Sequence, residues 1–164
     1  MTSGLLTFII VAVFTVETLL AISLRHYRKA SLIIVFIVAS ILLVYKSQEF
    51  IRDKIVQNGI YPVEFSHICY FIMGVTVVTG CKKMRAFASY CGMLAGLAFM
   101  IASIVSSQSM INDAASPFSL GISVTQHMLL WFCGFMLFLN VGHFDIRDIW
   151  IPVLGIALMV VFSY

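Results

Sequence analysis

Long apolar stretches alternate with short polar intervals along the whole chain, covering residues 4–23, 31–45, 60–80, 86–106, 119–140 and 149–163. A helix needs about 20 predominantly apolar residues to cross a bilayer. Six stretches approach that length, the second and sixth being the shortest. Pro62 falls in the first turn of the third stretch, where a helix tolerates proline. The pattern predicts an all-α polytopic membrane helix bundle, with about six transmembrane helices, short loops and a single transmembrane domain over 1–164.

The polar intervals differ in kind. Between Lys46 and Gly59, the apolar residues Phe50, Ile51, Ile55 and Val56 gather on one helical face, with Arg52, Asp53 and Lys54 between them. That spacing predicts that the second helix continues into an interfacial amphipathic segment. The interval from Ser107 to Pro117 is polar, carries the single charge Asp113 and ends at a proline, so a flexible loop is expected there. No repeat, low-complexity tract or domain boundary interrupts the chain.

Composition sharpens this picture. Hydrophobic residues make up 62% of the 164 residues and charged residues 10%, against roughly 45–50% and about 25% in soluble domains. So few charges cannot cover the surface of a water-soluble fold, and lipid is the expected solvent for most of the chain. A net charge of +3 reflects short basic loops and argues against a nucleic-acid partner. No Lys or Arg precedes the first apolar stretch, no small-x-small cleavage site follows it, and Arg25, Arg28 and Lys29 come directly after it. It is therefore expected to be a retained helix. The cysteines Cys69, Cys81, Cys91 and Cys133 show no CxxC spacing, which suits reduced thiols better than a disulfide framework or a metal site.

Lys and Arg in the loops set the expected orientation. Seven of the ten lie in the first, third and fifth connectors and three in the second. The richer side should be cytoplasmic, with both termini outside.

Ionisable side chains within membrane helices are costly and are functional candidates by default. Glu17, Glu64, His67 and His127 fall inside the apolar stretches, and Gln126, Thr125 and Ser123 add polarity to the fifth. In the expected topology the third and fifth helices enter from the same side. His67 then lies seven residues below Ile60 and His127 eight below Ser119. At about 1.5 Å rise per residue both sit roughly 10–12 Å inside the outer end, where they could meet. Glu64 shares the His67 face at i, i+3. Cys69 is at the same depth but about 200° around the helix from His67, on a face with Phe65 and Ser66. Glu17 lies deeper and is expected to belong to a different site. Packing alone could also explain these histidines, as hydrogen-bonding groups between helices. Gly92 and Gly96, with Ser89 nearby, form a small-xxx-small stripe that lets another helix approach closely. Trp150 marks a membrane–water interface.

The segment Pro62-Val63-Glu64-Phe65-Ser66-His67-Ile68-Cys69 resembles the His-x-Cys signature of the YwaF-type bacterial integral membrane proteins. Gln126-His127-Met128 resembles their second histidine-bearing helix, at similar spacing, and the basic first loop and the Asp145-Ile146-Arg147 connector also sit where that family has them. An animal relative of the family is a cysteine acyltransferase of ether phospholipids. The resemblance implies a bacterial cytoplasmic membrane protein in which Cys69 is the nucleophile, His127 its activating base and His67 a second histidine.

Two functions follow as expectations. One is a membrane-embedded lipid-modifying enzyme, acting by acyl transfer or hydrolysis, with Cys69, His127 and His67 catalytic in the outer half of the bilayer. Membrane lipids are its substrates, and no cofactor or metal is needed. Glu64, Gln126 and Glu17 are expected to bind ligand. The alternative is a non-enzymatic subunit of a transporter or larger complex, as a substrate-binding or accessory component, with a partner membrane subunit or a second copy of the chain. A minor third reading is bis-histidine haem ligation by His67 and His127.

Overall fold

The computed structural model of the chain describes residues 2–57 and 65–140, together with Trp150, Val153 and Ala157. Among them every regular element is helical. The helices are α1 (Ser3–Leu24), α2 (Arg28–Gln57), α3 (Phe65–Thr79), α4 (Arg85–Val105), the short α5 (Ser107–Asp113) and α6 (Pro117–Asn140), with a 3₁₀ turn over Lys82–Met84 before α4. By length and composition four helices can cross a membrane: α1, α2 as far as Arg52, α4 with its preceding turn, and α6. The described part of α3 is apolar but shorter. Glu64, residues 60–63 of the third stretch and most of the sixth stretch lie outside the described residues.

Local chemistry fixes the turns. After α1, the Ser31 hydroxyl donates to the Leu24 carbonyl at 2.7 Å and the Ser31 amide to Tyr27 at 2.9 Å, which staples α1 against α2. The α3 helix stops where Gly80 adopts φ +66° and its amide donates to Val77, a conformation that costs glycine little at a helix end. Pro117 opens α6 as its first residue. Ahead of it the Ser116 hydroxyl accepts from the Ser119 amide and the Ser119 hydroxyl accepts from the Ser116 amide, both at 3.1 Å. This reciprocal pair is a capping box.

Two segments differ from the sequence expectation. Residues 107–113, expected to be a flexible loop, form α5. Met110 and Ile111 pack onto the core there, and Gln108 bonds Asn112 one turn on, so the polar stretch carries its own apolar edge. The second helix does continue past Tyr45, but as one unbroken rod to Gln57. At 30 residues it is about 45 Å long, well beyond the ~30 Å of hydrocarbon in a bilayer. Lys46, placed in a connector by the sequence reading, is therefore inside the bundle and only 7% exposed.

Contacts along each pair show α2 antiparallel to α3 (Leu43 against Gly74, Lys46 against Tyr70), α4 antiparallel to α6 (Ser89 against Gly134, Gly96 against His127), and α1 beside α6 in the same direction (Leu6 and Pro117 on one cleft, Phe14 against Trp131). The most buried span is α6, with 61% of its apolar window inside the structure against 17% for α1. Its closest neighbour is α4. Gly92 and Gly96 of α4 face Gly134, Leu130 and Trp131 of α6 so closely that an added Cβ at either glycine would come within 2.6–2.9 Å of side-chain and backbone atoms. Ser89 donates to the Gly134 carbonyl at 2.8 Å across this contact. The small-residue stripe is thus used within the chain.

The outward surface suits lipid. Phe8, Val16, Leu19, Ile33, Ile41 and Val105 are among many exposed apolar side chains. Six hydroxyls on the helices are satisfied locally: Thr15, Thr18, Ser23, Thr79, Ser103 and Thr125 each donate to the carbonyl four residues earlier. In hydrocarbon, no water is available to replace such bonds.

Candidate functional site

One layer of side chains joins α2, α3, α4 and α6. Its centre is Tyr70, 1% exposed, on α3. The Lys46 ammonium of α2 lies over the Tyr70 ring, 5.2 Å from its centroid. Lys46 also pairs with Glu49 one turn along α2. A buried ammonium survives only with such compensation, and here a carboxylate and an aromatic face supply it.

On the other side, the His127 ring of α6 meets Tyr70 edge-on, with centroids 5.7 Å apart and planes at 72°. Phe99 of α4 stacks on His127 at 3.7 Å and 6°. The Nδ1 atom of His127 lies 2.8 Å from the Ser123 carbonyl. A carbonyl can only accept, so Nδ1 carries the hydrogen, and in the neutral ring Nε2 holds the lone pair. The Tyr70 hydroxyl, in contrast, is buried with no hydrogen-bond partner among the described residues. Leaving a hydroxyl unpaired away from water costs roughly 1–3 kcal/mol.

The sequence-derived candidates are distributed as follows. His127 is in this layer. The α3 ring that meets His127 is Tyr70, one turn beyond the half-buried His67. Cys69 precedes Tyr70 and is fully buried, in the same apolar cluster as the buried Cys91 of α4. Cys133 is buried in the same apolar cluster, and Cys81 is exposed. Gln126 is buried beside His127. Glu17 is on α1, away from the layer, and lines a separate cleft between α1 and α6. Glu64 lies outside the described residues. No cluster of three or more His, Cys, Asp or Glu side chains able to hold a metal ion occurs among the described residues.

Sequence reasoning missed Lys46, Glu49 and Tyr70. The i, i+3 spacing of Lys46 and Glu49 was a legible sign of a paired charge. Tyr70 gave no sign, because a tyrosine in an apolar helix is ordinary.

The layer presents a hydroxyl able to donate and accept, an ammonium and an imidazole, with Phe99 stacked on the imidazole. Comparison with known proteins finds no matching family model, no matching curated protein and no matching solved structure.

Proposed function

We propose that the protein is a non-enzymatic, ligand-binding component of a membrane, oriented with both termini outside, and that its ligand is held at Tyr70 between Lys46 and His127. The unpartnered Tyr70 hydroxyl carries this reading. A buried polar group without a partner is costly, and a bound acceptor such as a carbonyl or phosphoryl oxygen would remove the cost. Lys46 favours a ligand with negative charge, and the aromatic walls favour one with an apolar part.

The test is Tyr70→Phe, which removes one oxygen and keeps the ring. Small molecules and lipids that co-purify with the full chain would be identified by native mass spectrometry. The expected result is loss of a bound species from the variant with its thermal unfolding midpoint unchanged or raised. Identical bound species in both proteins would refute the reading.

Acyl transfer through Cys69 is the second reading. One observation favours it: His127 touches the residue directly after Cys69 in the chain. The buried thiol would have to become reachable to act as a nucleophile. A trapped thioester on Cys69, lost in Cys69→Ser, would establish it. Absence of that adduct with activated acyl donors would remove it.

A further inference from the structure

The α1–α6 cleft is separate from the Tyr70 layer. It has a volume of about 210 Å³ and is lined by Leu6, Ile9, Val13 and Glu17 of α1 and by residues from Pro117 to Met128 of α6. Ile9 and Val13 are exposed at its rim, so it opens sideways toward the lipid. For scale, an aliphatic cavity of about 150 Å³ takes a benzene-sized guest.

Its walls are apolar, with two polar exceptions, Thr125 and Glu17. The Thr125 hydroxyl is already spent on the Gly121 carbonyl at 2.8 Å. Glu17 is different: its Oε2 atom is buried and has no hydrogen-bond partner among the described residues. Neighbouring Thr15 and Thr18 turn their hydroxyls onto their own helix. The next charged residue along α1 is Arg25, about 12 Å further on at 1.5 Å per residue. An isolated carboxylate in hydrocarbon needs a counter-charge or a donor, and none is present at Oε2 among the described residues.

We infer that the α1–α6 cleft is a binding site for a small amphiphilic cation of the primary alkylammonium class. Its alkyl chain lies among Ile9, Val13, Leu120 and Val124, and its ammonium meets the Glu17 carboxylate. Charge complementarity selects the cation, and the cleft volume selects a short chain.

The experiment uses the full chain in phosphatidylcholine nanodiscs. The chain has two tryptophans, and Trp131 packs in the same cluster as Leu120, Val124 and Met128 of the cleft wall. In a Trp150→Phe background, Trp131 fluorescence reports quenching by bromohexylammonium and, in parallel, by bromohexanol. The ammonium is expected to saturate at a concentration lower by about tenfold or more. Glu17→Gln should erase that difference. Gly121→Leu should abolish saturable quenching by both probes, since a Cβ at Gly121 points into open space and a larger side chain there fills the cleft. Equal saturation by the two probes, or an ammonium preference that survives Glu17→Gln, overturns the proposal. If Glu17→Gln does not fold, Gly121→Leu decides alone, and retained saturable quenching overturns it. A particle mass that falls from dimer to monomer in Gly121→Leu would mean that a second copy fills the cleft, which also overturns it.

Discussion

The His127 ring lies flat on Phe99, with centroids 3.7 Å apart and planes within 6° of parallel. Together with the Nδ1 bond to Ser123, this contact holds the imidazole in one orientation. Aromatic pairs of this kind contribute about 0.5–1.5 kcal/mol beyond their buried area. Phe99→Leu should therefore lower stability by about 1 kcal/mol and shift the His127 ring resonances. Reversible unfolding in mixed micelles and histidine-selective NMR would measure the two effects, and unchanged resonances would refute the claim that Phe99 sets the ring position.

The glycines of α4 and α6 should respond unequally to added methyl groups. At Gly92, Gly96 and Gly134 a Cβ would press on backbone of the facing helix, and overpacking of this kind costs about 1–3 kcal/mol. At Gly121 it would meet nothing within 4 Å, and alanine is the better helix former by roughly 1 kcal/mol. Gly96→Ala should thus destabilise the protein while Gly121→Ala leaves it as stable or more so. The same unfolding assay decides, and similar losses at both positions would contradict the packing described.

Lys46 and Glu49 should behave as a unit. Lys46→Met removes the ammonium and leaves the Glu49 carboxylate partly buried and uncompensated, with its side chain 28% exposed. Breaking a fully buried pair costs about 3–5 kcal/mol, and the partial exposure of Glu49 reduces that to roughly 1–3 kcal/mol. The double variant Lys46→Met, Glu49→Gln should recover most of the loss. A double-mutant cycle with no coupling would show that the pair does not act as described.

Thiol labelling should separate the cysteines. Cys81 is exposed, whereas Cys69, Cys91 and Cys133 are buried. N-ethylmaleimide applied to the folded protein should label Cys81 and leave the rest until the chain is denatured. Rapid labelling of Cys69 in the folded protein would instead favour the nucleophile reading.

The all-helical architecture was legible because apolar runs of membrane-spanning length leave few alternatives. The close α4 contact was legible in Gly92 and Gly96, since small residues at that spacing have a direct steric meaning. The α5 helix was not, because its stability comes from Met110 and Ile111 packing onto other helices, which local polarity conceals. His127 stood out as an imidazole among apolar residues, whereas Lys46 looked like a membrane boundary because it follows fifteen apolar or small residues from Ser31 to Tyr45. Its burial depends on Tyr70, contributed by another helix. The burial of Cys69 and Cys91 in one cluster was hidden for the same reason: helix periodicity tells which residues share a face, but not which face a neighbour will cover.

The order of synthesis gives the central place of α6 a further consequence. Helices made earlier emerge from the ribosome before α6 exists, so α1, which packs mainly on α6, and α4, whose broadest contact is with α6, must wait in the bilayer with those faces uncovered. Their consolidation falls to the arrival of residues 117–140, and a nascent chain halted before that point should be a preferred target for membrane quality-control proteases.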